Sequence, residues 1–424
     1  MTWTPTRKPA PALTLGHMMG SRDMADRLVA LGALPELIQT LSNPNLNVKQ
    51  AAAFALDALV KHSPELAQDA VNCNIIPLLI KAIDNDNINV KQTALHCLAH
   101  IVKHTPALAS KVVEAGVIPI AVAHLNHHPR GVQKNAAALL RDVAKHQNPR
   151  LNHVMVEEKV LSGFVNMLNG SVDEKFLPAI VGLGYLASQS DRFAQQIIDV
   201  EGVPRLHHIL LCPTSEQLQV NAAWTLAQVG KHSPDHVGTL CDEGVLLTLL
   251  SITQSDGAAE CVRNKCRDVL RTVLHRCRRY EDLETIFLQD NSEELLPPLL
   301  NALAKVLPCD VEARRSFVMS QGLRKVLGLA SQPIIDVSLK TIYKCFPEEV
   351  LDFASPSYIE DLIDRTYHDT WTGSGSITEA KPLQRIGSPD SCSTGPVSAA
   401  GEEELGNKSN GGVSVGDVSW SESE

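Results

Sequence analysis

Aromatic residues are scarce in this chain. Phe, Trp and Tyr make up 4% of its 424 residues, against a hydrophobic fraction of 44%. Ala, Val, Leu and Ile supply most of that fraction, a mixture that leaves β-strands poorly furnished and suits helices packed at close range. Ten cysteines are present, but no two form a CxxC pair, and Cys97 and Cys266 fall inside apolar helical patterns. They read as reduced, cytosolic residues packing as small hydrophobes. Residues 1–20 contain no continuous apolar core of the secretory kind. No run reaches the roughly 18 apolar residues that a membrane-spanning helix needs. P-loop, GxSxG and paired metal-ligand motifs are missing, which leaves catalysis and cofactor binding without a sequence signal.

One-sided charge is also lacking. The net charge is −10, and about half of it falls in the last 54 residues. The rest is spread thinly, so charge argues for neither a nucleic-acid partner nor an acidic one. No small-molecule substrate, nucleic acid or membrane is expected as a partner.

What the chain does have is a beat. Lys61-His62-Ser63-Pro64 returns as Lys103-His104-Thr105-Pro106, in degraded form as Lys145-His146-Gln147-Asn148, and again as Lys231-His232-Ser233-Pro234. Leu34-Pro35, Ile76-Pro77, Ile118-Pro119 and Val203-Pro204 keep the same time. A period in the low forties signals stacked helical repeats. Residues 63–104 show one unit. Ser63 caps a short helix with Pro64 in its first turn, and Asn74 stands where Gly32 and Gly116 stand in neighbouring units. Pro77 opens a second short helix. A long third helix runs from about Asn89 to Lys103, with Val90, Ala94, Leu95 and Leu98 at helical spacing. Two short helices and a long one predict an all-α armadillo-repeat solenoid, a right-handed superhelix of three-helix repeats.

The expected organisation is an irregular leader at 1–20, armadillo repeats over 21–280, a divergent helical cap at 281–368, and a disordered Ser/Gly/Glu-rich tail at 369–424. The copy at 150–190 looks eroded, its long helix weakened by Pro178, Gly182 and Gly184.

Several residue sets invite a functional reading. The repeat histidines His62, His104, His146 and His232 sit at helix ends, where they suit exposed carbonyls better than a metal. His96, His100 and His104 share one helical face, but no acid lies nearby in sequence, so no metal site is expected. His124, His127 and His128 are set aside as loop residues. The long helices should line a concave groove with a polar ladder of Lys49, Lys91, Gln133 and Gln219, with Asn135 and Asn221 two residues on. Such a ladder can hold an extended peptide, and the competing reading is a merely solvated face. Trp224 is a further candidate contact. Arg263, Arg267, Arg271, His275 and Arg279 form an i, i+4 row that suits an acidic partner such as the glutamate-rich tails of tubulin, against a default of solvated charge.

The wording of the repeats goes further. The segments His62–Gln68 and His104–Ala109, Lys134-Asn135-Ala136 with Val143–His146, Ala222–His236, Lys305–Pro308 with Glu312–Phe317, and Cys345–Val350 together resemble one family. It is the armadillo-repeat protein of the flagellar central pair, the sperm-associated antigen six family. The resemblance covers about 21–367. Family members are expected to carry further N-terminal repeats, and the tail here departs from their pattern. The resemblance implies a non-enzymatic scaffold of the axoneme, with central-pair proteins and microtubules as partners. It places the protein in the cytoplasm and cytoskeleton, in the cilium or flagellum. A soluble adaptor of importin or catenin type is the alternative. Import adaptors repeat a Trp with an Asn four residues later, whereas here Trp224 and Gln228 make a single such pair.

Overall fold

The structure, a computed structural model, is described over residues 10–358, apart from 86, 127–128, 171, 213–214, 291, 330–335 and 356. The tail expected at 369–424 lies outside the described residues, as do His127 and His128. Every regular element among the described residues is helical.

The unit follows from local chemistry. Ser63 accepts a hydrogen bond from the amide of Leu66 at 3.3 Å, and Pro64 opens the first helix, Pro64–Asn72. Thr105 and Ser233 do the same for Leu108 and His236, at 3.2 Å each. The chain then turns through one residue in the left-handed region and starts the second helix, Ile75–Ile83, bent by 85° from the first. That left-handed residue recurs in all six three-helix units: Gly32, Asn74, Gly116, Lys159, Glu201 and Gly244, with φ between 58° and 82°. Asn87 accepts from the amides of Asn89 and Val90 and so caps the long helix, Ile88–His104.

The long helices make a continuous layer. Ala10–Met18, Leu46–Val60, Ile88–His104, Arg130–Lys145, Leu177–Gln189, Glu216–Gly230 and Glu260–Leu274 each pack on the next. Their shared faces carry the core. Leu95, Leu98, Ile101 and Val102 are fully buried, each stabilising the stack by about 1.5–3 kcal/mol.

The N-terminal segment departs from expectation. Residues 10–18 are not irregular: Ala10–Met18 is a helix packed on Leu46–Val60, in the place of a preceding unit's long helix. Ala12 and Met19 are buried, and Gly16 lies so close to the Phe54 ring that a Cβ there would be 2.6 Å from it. Short length and a Gly-containing, weakly patterned sequence concealed this helix.

The copy at 150–190 is intact rather than eroded. A 3₁₀ turn, Glu174–Phe176, leads into Leu177–Gln189 with Pro178 in its first turn, where no helical amide bond is lost. Gly182 and Gly184 make room for the rings of Phe164 and Trp224. Beyond Leu274 the pattern shortens to two helices, Tyr280–Gln289 and Leu296–Val306. Val311–Met319 and Gly322–Leu327 follow, joined through a left-handed Gln321 (φ 69°). Phe317 sits in this region 6.0 Å from Phe287 and 6.4 Å from Phe346, an aromatic cluster replacing the aliphatic seam of the units before it.

Candidate partner-binding surface

The repeat histidines do not cap their own helices. Each donates from Nε2 to a main-chain carbonyl at the end of the preceding unit's long helix. His62 reaches Met19 O at 2.6 Å, His104 reaches Val60 O at 2.7 Å, His146 reaches Val102 O at 2.6 Å and His232 reaches Ala187 O at 2.7 Å. The last carbonyls of a helix have no partner within it, so each histidine satisfies an orphan acceptor across a unit boundary. Gln189 takes the role in the unit without a histidine, donating to Ala144 O at 3.3 Å. These residues are inter-unit latches.

The polar ladder is largely consumed by the fold. Gln133 is buried, with 7% of its surface exposed, so it cannot serve as a groove contact. Asn135 donates to Gln92 O at 2.9 Å, Gln219 to Leu210 O at 3.0 Å and Asn221 to Gln217 O at 2.7 Å. The acceptor of Asn135 lies on the neighbouring long helix, that of Gln219 on the short helix Gly202–Leu211 of its own unit, and that of Asn221 one turn back in its own helix. Lys49 and Lys91 are half-buried. Trp224 is also half-buried, its ring edge-on to Tyr185 at 5.6 Å.

The arginine row is shorter than its spacing suggested. Glu260–Leu274 ends at His275, and Arg279 lies beyond it, at the start of the next helix. Arg279 pairs with Asp242 at 2.6 Å, which holds its pKa above the usual value. Arg267 and Arg271 share Glu294, at 3.7 and 3.0 Å. Arg263 donates to Ser255 O at 3.2 Å. Burial and the neighbouring Arg276 and Lys305 push the His275 pKa down, so that position adds little positive charge. Three arginines remain on one helix, two of them partly compensated.

The histidine row divides in a way that sequence separation hid. His104 is a latch, while His96 and His100 both turn to Asp57 on the preceding long helix. His96 Nδ1 lies 3.0 Å from Oδ2 and His100 Nδ1 lies 2.8 Å from Oδ1. Burial alone would raise the Asp57 pKa, but the hydrogen bonds from His100 and His96 hold it below the ordinary carboxylate value. The bond to Asp57 in turn raises the pKa of His96. No acid is near these histidines in sequence, but the fold brings Asp57 to them from the preceding long helix.

An open groove of about 700 Å³ lies between the last two complete units, lined by Leu210, Leu211, Glu216, Gln219, Leu247 and Ser251 among others. Leu211 and Leu247 project into solvent there, at 56% and 39% exposure.

Comparison with known proteins fits this geometry. The fold is similar to that of a solved engineered protein of the Northeast Structural Genomics Consortium, with a TM-score of 0.66 over 88% of this chain and 93% of that one, at 19% identity. A designed armadillo repeat protein in complex with the peptide (KR)4 gives a TM-score of 0.53 over 57% of this chain and 99% of that one, at 22% identity. The sequence is 32% identical over 164 residues to sperm-associated antigen 6 of Homo sapiens, and 33% identical over the same length to that of Mus musculus. The chain has an armadillo-type fold and, over that stretch, is similar in sequence to sperm-associated antigen 6. The match covers 38% of this chain, which spans about a third of the length of those relatives (32%). Residues 24–121 also match the SIL1/FES1/HPBP1 C-terminal domain.

Proposed function

We propose that this chain is a non-enzymatic, protein-binding scaffold of the axonemal central apparatus, supporting assembly and motility of the cilium or flagellum. Its similarity over 164 residues to sperm-associated antigen 6 carries the reading. The axoneme and central pair enter through the family resemblance read from the repeats. The scaffold role is supported by a continuous layer of long helices and by an armadillo neighbour solved with a peptide. Armadillo stacks present surfaces more often than they hold chemistry. Contact with microtubules would fall to Arg263, Arg267 and Arg271 together, and Lys49, Lys91 and Trp224 would remain for protein partners along the groove.

Localisation of a tagged copy in ciliated cells tests the reading. Signal along the axoneme supports it. A diffuse cytosolic signal or nuclear accumulation would instead favour an importin- or catenin-type adaptor, for which the open groove beside Leu211 and Leu247 is the relevant surface.

A further inference from the structure

We infer that Asp57, His96 and His100 form a binding site for a divalent transition metal, zinc in the first instance, that clamps two adjacent repeats together. His96 and His100 are one helical turn apart on Ile88–His104, the i, i+4 spacing that lets two imidazoles face one ion. Asp57 comes from the neighbouring long helix, Leu46–Val60. One ligand atom from each residue lies within 4.8 Å of the other two. Both Nδ1 atoms already point at the carboxylate, one at each oxygen. An ion entering among them, with bonds of about 2.0–2.2 Å, requires only a small opening of contacts that are now 2.8 and 3.0 Å. Two imidazoles and a carboxylate are donors that zinc accepts, and they are ill suited to calcium or magnesium, which take oxygen ligands.

The surroundings favour the ion. The Asp57 side chain is 12% exposed and that of His96 is 46% exposed. The carboxylate therefore sits at the floor of the site with the histidine at its mouth, leaving a fourth position open to water or to a partner's side chain. The repeat stack does not require this trio. In the next unit the places of Asp57 and His96 fall to Ala99 and Ala138, and the place of His100 falls to Asp142, which pairs with Arg141 instead. Neighbouring units stack without an equivalent of this trio, which occurs once among the described residues.

The test uses the full chain, stripped with chelator and titrated with zinc by calorimetry, and with cobalt followed by its visible spectrum. Variants take residues that neighbouring units already tolerate: His96→Phe as at Phe54, His100→Ala as at Ala58, and Asp57→Ala as at Ala99. The wild type should bind a single zinc at micromolar or lower concentration, give the intense cobalt absorption of a four-coordinate site, and melt at higher temperature with zinc than without. Each variant should bind at least about tenfold more weakly and lose the zinc-dependent rise in melting temperature. Undiminished binding in His96→Phe and His100→Ala would overturn the proposal by placing the ion on other histidines. Binding only at millimolar zinc would overturn it as adventitious. Should Asp57→Ala melt early, Asp57→Asn preserves the shape of the floor while removing its charge, and unchanged affinity there would equally overturn the assignment.

Discussion

The indole of Trp224 occupies the space that a side chain at Gly184 would need. The two residues lie on adjacent long helices, Leu177–Gln189 and Glu216–Gly230, and their fit sets how closely those helices approach. Gly184→Ala should therefore destabilise the protein by about 1–3 kcal/mol through overpacking. Gly238 is the control. It lies in Pro234–Asp242 with nothing within 4 Å of a built Cβ, so Gly238→Ala should stabilise by up to about 1 kcal/mol. Urea titrations of both variants would check the pair, and equal effects would contradict the packing account.

The histidine latches should be individually measurable. His104→Ala removes the donor to Val60 O and leaves a part-buried carbonyl unanswered, at a cost of about 1–3 kcal/mol. His104→Gln should recover much of the loss, because Gln189 already performs the same task toward Ala144. Hydrogen exchange should localise the loosening to the boundary between Leu46–Val60 and Ile88–His104. A uniform increase across the chain would argue against a local latch.

Left-handed residues other than glycine mark improvable positions. Lys159, Glu201 and Gln321 have φ of 58°, 60° and 69°. Lys159→Gly or Glu201→Gly relieves a conformation costing about 1–2 kcal/mol for a residue bearing a Cβ. Part of that gain is offset by the greater freedom of glycine in the unfolded chain. A raised melting temperature is the expected result.

Thiol chemistry should sort the cysteines by burial. Cys73 and Cys309 are exposed, whereas Cys97 and Cys266 are buried. Burial pushes the Cys266 thiol up to about 12. The thiolate is the reactive form, so raising the pH into the mildly alkaline range should leave Cys266 unlabelled while the protein stays folded. Mass spectrometry after iodoacetamide should find Cys73 and Cys309 modified first, and Cys97 and Cys266 only after denaturation. Early modification of Cys266 would show that the Glu260–Leu274 helix opens.

Glu294 bears on the proposed microtubule contact. Glu294→Gln leaves Arg267 and Arg271 without their shared carboxylate and should strengthen salt-sensitive pelleting with microtubules. Reversing Arg263, Arg267 and Arg271 to Glu should abolish it. Pelleting indifferent to both changes would remove this helix from the interaction.

The fold was legible from the beat because each of its letters has a local meaning. Ser63 caps, Pro64 begins a helix and Asn74 turns the chain, and none of these depends on a distant residue. Contacts between units were less legible. Asp57 stands 43 residues from His100 and 39 from His96, and the latches span 43 to 45. One repeat period back along the chain is the stride that brings residues together, so a search at that offset would have found the acid. Arg279 misled for the opposite reason: the spacing continued where the helix did not, since Glu260–Leu274 gives way to a turn before Tyr280. The ladder amides were correctly seen as polar, but their partners are main-chain atoms, which leave no trace in a sequence.

Those main-chain acceptors have a consequence for how such a protein can be rearranged. Each latch recognises a carbonyl oxygen and not a particular side chain: Met19, Val60, Val102 and Ala187 serve equally. A joint that ignores the identity of its socket permits a whole unit to be cut out and the ends rejoined in phase. Lengthening or shortening the array then needs no matched change at the latch's acceptor, although side-chain fits such as Trp224 against Gly184 must still be kept.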